Sequence, residues 1–295
     1  MLLMRVRDHY MNIKKKKLPK WTIVRRIVQV TMLVLFLTPL FLVEVEGDNF
    51  IFGTLSSSNI FGITLNDPFG TLEILFAAKT INWTLITGAL IVLAFYALIR
   101  GRVFCGWVCP VNLILEMTGK LRKVFKIKRK NNLTLHRHTK IWVAVIILVL
   151  SFVTSLPVFE LFSPIGTIMK GLVFSLSLGL WSFIAIILLE IFFAERIWCR
   201  SLCPVGGLYE AVGKVGCFSV KIDHESCKKC NRCKTSCIAD PTILDDAVEG
   251  KAKYVTAGDC MLCGKCVDVC NDHALSIVPK LPQFIEKPAK AEAEV

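Results

Sequence analysis

Cys227-Lys228-Lys229-Cys230-Asn231-Arg232-Cys233-Lys234-Thr235-Ser236-Cys237 reads C-x2-C-x2-C-x3-C, and Cys260-Met261-Leu262-Cys263-Gly264-Lys265-Cys266-Val267-Asp268-Val269-Cys270 repeats it. This spacing wraps a cubane [4Fe–4S] cluster. Three close thiolates cap one face of the cube, and the fourth comes from farther along the chain, crossing over when two clusters are present. By that rule Cys227, Cys230, Cys233 and Cys270 hold one cluster, and Cys260, Cys263, Cys266 and Cys237 hold the other. Zinc is disfavoured, because all-thiolate zinc sites are usually built from paired C-x2-C units. Residues 218–279 are too few for a large apolar core, so the clusters must serve as the core. Ile222-Asp223-His224-Glu225-Ser226 and Tyr254-Val255-Thr256-Ala257-Gly258-Asp259 lead into the two motifs as short strands, with a small helix expected after each. The expectation is a small α+β two-[4Fe–4S] ferredoxin-like domain. Ile238 and Asn271 stand where such runs place a proline after the fourth cysteine, which alters the turn but not the ligation.

The rest of the chain has a different character. Of its 295 residues, 54% are hydrophobic, and the mean hydropathy is +0.57. Four apolar stretches, Ile27–Val43, Leu85–Ile99, Trp142–Leu156 and Val173–Phe193, approach the ~20 residues needed to cross a bilayer. The net charge of +13 comes from basic residues clustered beside these stretches, which argues for positive-inside loops and against nucleic-acid binding. Arg5 to Arg26 and Arg100 to Lys140 hold most of them, whereas Lys79 and Lys170 are alone in the other connections. Both termini and the middle loop are therefore expected in the cytoplasm. The first stretch has no A-x-A-like cleavage site and reads as an uncleaved anchor.

The apolar region is duplicated. Asp67-Pro68-Phe69-Gly70-Thr71 is echoed by Ser163-Pro164-Ile165-Gly166-Thr167, and Arg102-Val103-Phe104-Cys105-Gly106-Trp107-Val108-Cys109-Pro110 by Arg196-Ile197-Trp198-Cys199-Arg200-Ser201-Leu202-Cys203-Pro204. Glu116, Gly119 and Lys120 match Glu210, Gly213 and Lys214. Each unit reads as a turn, a span, a C-x3-C-P pair and an amphipathic helix, giving an all-α four-span membrane bundle of two parallel repeats. In C-x3-C-P the thiols lie at i and i+4, one helical face, and the second precedes a helix N-terminus that favours thiolate. Cys105, Cys109, Cys199 and Cys203 are then open to three readings: a metal or cluster site between the halves, a thiol–disulfide relay, or reduced packing residues. Cys217 fits neither pattern and reads as a structural thiol.

No C-x-x-C-H is present, and none of the five histidines lies in an apolar stretch, so no haem is expected. No G-x-G-x-x-G opens a nucleotide-binding unit. One-electron clusters without haem or flavin point to quinol or a partner subunit as the redox neighbour. Quinol oxidation needs a proton acceptor, and Glu190, in the fourth apolar stretch, is the candidate.

The four apolar stretches, the two C-x3-C-P pairs, the eight-cysteine segment and the loop from Gly53 to Phe69 together resemble the NapH family, over about residues 20–280. The resemblance implies the membrane component of a quinol dehydrogenase that serves periplasmic nitrate reductase in the bacterial inner membrane. It also implies a NapG-like periplasmic iron–sulfur partner with a downstream cytochrome or reductase. Relatives of the same plan support nitrous-oxide reduction or cytochrome oxidase assembly, so a redox maturation factor is the alternative. The expected organisation is a basic N-terminus (1–26), a membrane domain (27–217), a ferredoxin-like domain (218–279) and a disordered tail (280–295).

Overall fold

The structure, a computed structural model, describes residues 19–41, 51–53, 57–60, 63–125, 136–164, 166, 178–192 and 196–280. The first half begins with α1 (Lys20–Phe41) and a three-stranded antiparallel sheet of β1 (Ile51–Gly53), β2 (Ser57–Ile60) and β3 (Ile63–Asn66). It continues with α2 (Pro68–Ala78), α3 (Trp83–Ile99), the short α4 (Val103–Trp107) and α5 (Pro110–Val124). The second half runs through α6 (Thr139–Thr154), α7 (Val158–Phe162), α8 (Leu178–Phe192), a π-helical turn at Trp198–Leu202 and α9 (Pro204–Val212).

Helices stand where the apolar stretches predicted spans, but the four-span all-α bundle does not. Among the described residues no helix is long and apolar enough to cross a membrane. α3, α6 and α8 have 17, 16 and 15 residues. At 1.5 Å per residue these reach about 25 Å or less, against a hydrocarbon core of about 30 Å. Local signals cut them short. Asn82 accepts from the Thr84 and Leu85 amides and starts α3 there, while Ser155, at φ 54°, ends α6 in a left-handed turn. α1 has 22 residues, but its N-terminal half carries Arg25, Arg26 and Gln29, with Arg25 and Gln29 buried against protein. Nor is the region all-α. The Gly53–Phe69 loop supplies β2 and β3 of the sheet, which pair Ser57 with Asn66 and Ile60 with Ile63. β3 lies flat on α3 at Gly88, where a Cβ would sit 2.2 Å from the Thr64 carbonyl oxygen. Only glycine admits that approach.

The internal duplication has structural counterparts. Asp67 and Ser163 each accept the amide three residues on, from Gly70 at 2.9 Å and Gly166 at 3.3 Å. Each is followed by proline at a first helical position, the usual start chemistry. The halves exchange contacts: α8 packs on α5, and α9 packs on α2 and on α3.

The C-terminal lobe is closed by β4 (Phe218–Ile222) and β5 (Leu275–Pro279), paired antiparallel from Phe218↔Pro279 to Ile222↔Leu275. Between them lie α10 (Arg232–Ser236), a 3-10 turn (Pro241–Leu244), α11 (Asp245–Glu249) and α12 (Lys265–Asp268). The Tyr254 segment forms a single bridge to Lys221 instead of the expected strand. The basic clusters at 1–18 and 126–135 and the tail 281–295 lie outside the described residues.

Candidate iron–sulfur centres

The two cysteine motifs are wound alike. Lys229 and Asn231 have φ of 50° and 60°, and Leu262 and Gly264, at the same offsets, have 46° and 68°. These left-handed residues curl each loop back around its own thiols. α10 and α12 then each begin one residue later, so Cys233 and Cys266 sit in the first turn of a helix. β4 delivers the chain into the first motif and β5 takes it away from the second, so their antiparallel pairing brings both ends together. One cavity is lined by Cys227, Cys230, Cys233 and Cys270, the last contributed by the other motif. At the second set, burial and the nearby Cys263 and Cys260 push the Cys237 thiol up to about 12. Cys266 is raised by burial and then by Cys263, Cys260 and Cys237. Cys270 thus stands with the thiols of the first motif, and Cys237 near those of the second.

Cys105, Cys109, Cys199 and Cys203 line a further cavity. The C-x3-C-P pairs do not lie on one continuous helix. Cys105 sits in α4 and Cys199 in the π-helical turn. Cys109 and Cys203 follow the break, directly before α5 and α9, with Cys203 extended at ψ 116°. The backbone folds the same way in both halves, because the Cys109 amide donates to Phe104 O (3.0 Å) and the Cys203 amide to Trp198 O (2.8 Å). The expected fall in thiol pKa is reversed. Burial raises all four, and Cys203 reaches about 12 through burial and Cys105, although the Gly206 and Val205 amides oppose the rise. The helix N-termini are outweighed by the lack of water.

Buried charge ties this cavity to the lobe. Arg102, 1% exposed, lines it, donates to Cys199 O (2.6 Å) and pairs with Asp259 at 2.8 Å, one residue before Cys260. Lys140 also pairs with Asp259, and with Glu210 at 3.0 Å. Arg100 donates to the Phe218, Val255 and Ala257 carbonyls, and Trp107 Nε1 to Leu262 O. Gly106 lets the lobe close in, since a Cβ there would lie 3.0 Å from Met261 O. Sequence reading assigned these cations to topology and missed their contacts. The available signal was position: Arg102 and Arg196 each stand three residues before a C-x3-C-P pair, and Asp259 directly before Cys260.

Glu190 is 2% exposed, and its two carboxylate oxygens accept the Arg196 amide at 2.6 and 2.7 Å. Arg196 is left-handed at φ 59°, so Glu190 holds the turn into the second cysteine pair and does not line the four-thiol cavity. Arg196 itself reaches Asn112 Oδ1 (2.8 Å) and Glu116 (3.1 Å), and Glu116 also pairs with Arg25 and Arg26. Cys217 is half-buried and lines neither cavity.

The donor sets fit clusters and not single ions. Among the described residues no three His, Cys, Asp or Glu side chains converge closely enough to share one metal ion. A tetrahedral ion with bonds of about 2.3 Å would draw its sulfurs to within about 4 Å of each other. Here they ring spaces instead. Sequence comparison agrees. The family model described as 4Fe-4S binding domain matches residues 81–128 and 176–222, and the 4Fe-4S dicluster domain matches residues 219–271. The cofactors are [4Fe–4S] clusters. The chain is 34% identical to the ferredoxin-type protein NapH of Escherichia coli (strain K12) over 266 residues, 88% of this chain and 90% of that one. It is 33% identical to the methylamine utilization ferredoxin-type protein MauN of Methylorubrum extorquens over 85% of this chain and 86% of that one. Identity to the ferredoxin-type protein NapH of Haemophilus influenzae is 32% over 84% and 86%. No solved structure matches the chain.

Proposed function

Because the chain belongs to the NapH family of ferredoxin-type iron–sulfur electron-transfer proteins, we propose that it is the iron–sulfur component of a quinol dehydrogenase. Electrons pass from quinol through its clusters toward a NapG-like iron–sulfur protein and a periplasmic reductase, with nitrate reductase favoured by the resemblance to NapH. Oxidation of one quinol to quinone releases two electrons and two protons, and two clusters each accept one electron. Cys227, Cys230, Cys233 and Cys270 are the ligands of one cluster, and Cys260, Cys263, Cys266 and Cys237 of the other. The observation that carries this reading is the shared cavity of the first set, in which the two motifs are interlocked. Large apolar side chains stand exposed along α1, α3, α6 and α8, among them Ile27, Phe95, Trp142 and Trp181, which supports work at the bacterial inner membrane where quinol resides.

The test is addition of a reduced quinol to isolated membranes containing the protein, with the clusters followed by EPR. The reading expects a reduced-cluster signal to appear on quinol addition and to vanish with the Cys227→Ser/Cys260→Ser variant. Clusters that dithionite reduces but quinol leaves oxidised would overturn the quinol assignment while leaving the electron-transfer role intact.

A further inference from the structure

The four C-x3-C-P thiols stand outside the ferredoxin lobe, and an eight-cysteine wire does not need them. We propose that Cys105, Cys109, Cys199 and Cys203 hold a third [4Fe–4S] cluster, shared between the two halves of the chain. Four observations converge on it.

The first is stoichiometry. Each half supplies one C-x3-C-P pair, and two thiolates are half of what a cubane needs. The fold brings both pairs to a single cavity. The 4Fe-4S binding domain matches both halves, yet neither half has four cysteines near its own pair.

The second is size. The cavity matches in extent the one at Cys227, Cys230, Cys233 and Cys270, whose spacing is that of a cubane site. A thiol–disulfide relay has no use for such a space, and it needs thiols that a partner can reach. Cys105, Cys109 and Cys199 are all buried, and all four thiols are free.

The third is charge. A four-thiolate cubane carries net negative charge that burial makes costly unless it is compensated. The cavity wall is otherwise apolar, with Phe104, Val111, Phe159 and Val205, but it contains one buried cation, Arg102. The Arg102 Nε–H has no partner among the described residues, although Nη1 and Nη2 are engaged. A buried donor without an acceptor is costly, and a cluster sulfur at the cavity would accept it.

The fourth is position. Arg102 contacts both Cys199 O and Asp259, which adjoins Cys260. The third cluster thus sits beside the lobe cluster held by Cys260, Cys263, Cys266 and Cys237. One electron passes between them, the lobe cluster changing by one oxidation level and the third cluster by one in the opposite sense. This goes beyond the quinol reading and does not depend on it, since it concerns how many clusters the chain holds.

The experiment is iron and acid-labile sulfide quantitation with Mössbauer spectroscopy on the anaerobically purified full-length protein and on Cys105→Ser/Cys199→Ser. The proposal expects about twelve irons and twelve sulfides per chain in the wild type. The double variant should fall to about eight and keep the EPR signals of the lobe clusters, which serve as its control for folding. If it does not fold, the wild-type count decides alone. About eight irons in the wild type would overturn the proposal. About ten, with a [2Fe–2S] spectrum, would also overturn it, as would one bound zinc beside eight irons.

Discussion

At the scale of single residues, Asp259 is the carboxylate on which two buried cations, Arg102 and Lys140, converge beside Cys260. Eight thiols at cluster spacing can be counted in the sequence. The need for Asp259 cannot, because it depends on Arg102 and Lys140, which are 157 and 119 residues away. Both cations read as loop charges, since burial leaves no mark on a single basic residue. Asp259→Ala leaves Arg102 buried without its carboxylate, while Lys140 keeps Glu210, and breaking such a buried pair costs about 3–5 kcal/mol. The expected result is a lower thermal midpoint and faster protease cleavage around residues 214–218, with Asp259→Asn intermediate. Glu190 shows the same limit. Its place in an apolar stretch suggested proton chemistry, whereas the structure has it accept the Arg196 amide. Glu190→Gln keeps an acceptor and should change stability little. Glu190→Ala strands the amide and should cost about 1–3 kcal/mol, read by denaturant melts.

At the scale of elements, the helices were placed well and their ends were not. Hydropathy found α1, α3, α6 and α8, but Asn82, Ser155 and the buried Arg25 decide where apolar runs stop being long helices. The sheet went unseen because its strands are three or four residues long and follow no clear alternation. The start of α1 is held from outside. Asp268, on α12, accepts from the Trp21 and Thr22 amides at 3.1 and 2.8 Å and from the Thr22 hydroxyl at 2.7 Å. This caps one helix with a side chain from another lobe, so local sequence could not announce it. Asp268→Ala should cost about 0.5–2 kcal/mol, as loss of a helix cap does. Hydrogen exchange should speed up at the first turn of α1 and not at its centre. Gly264 lies under the same contact at φ 68°, where an added Cβ would meet the Trp21 side chain at 2.3 Å. Gly264→Ala therefore combines left-handed strain with a clash and should detach α1 more severely than Asp268→Ala.

At the scale of the whole molecule, the lobe and the helices form one electron-carrying unit. The lobe's buried apolar residues, among them Val220, Ile222, Leu244 and Val248, belong to one core with the cluster thiols Cys233, Cys260 and Cys266, so its fold is coupled to cluster binding. Removing iron with a chelator under reducing conditions should unfold residues 218–279, while most of the helical circular dichroism from α1 to α9 persists. The duplication was legible because it repeats residue types at fixed spacing. Its consequence, four thiols from two halves around one cavity, required the packing of α8 on α5 and α9 on α3. The central claim is that the chain carries interlocked [4Fe–4S] clusters in its C-terminal lobe, and an EPR-monitored redox titration of the purified full-length protein tests it most directly. The account predicts reduced [4Fe–4S] signals broadened by the neighbouring cluster. In Cys270→Ser it predicts that the cluster of Cys227, Cys230 and Cys233 is altered while the one bound by Cys260, Cys263 and Cys266 keeps its signal. Loss of the Cys260 cluster in Cys270→Ser, with the Cys227 cluster unchanged, would contradict the crossover and the site built on it.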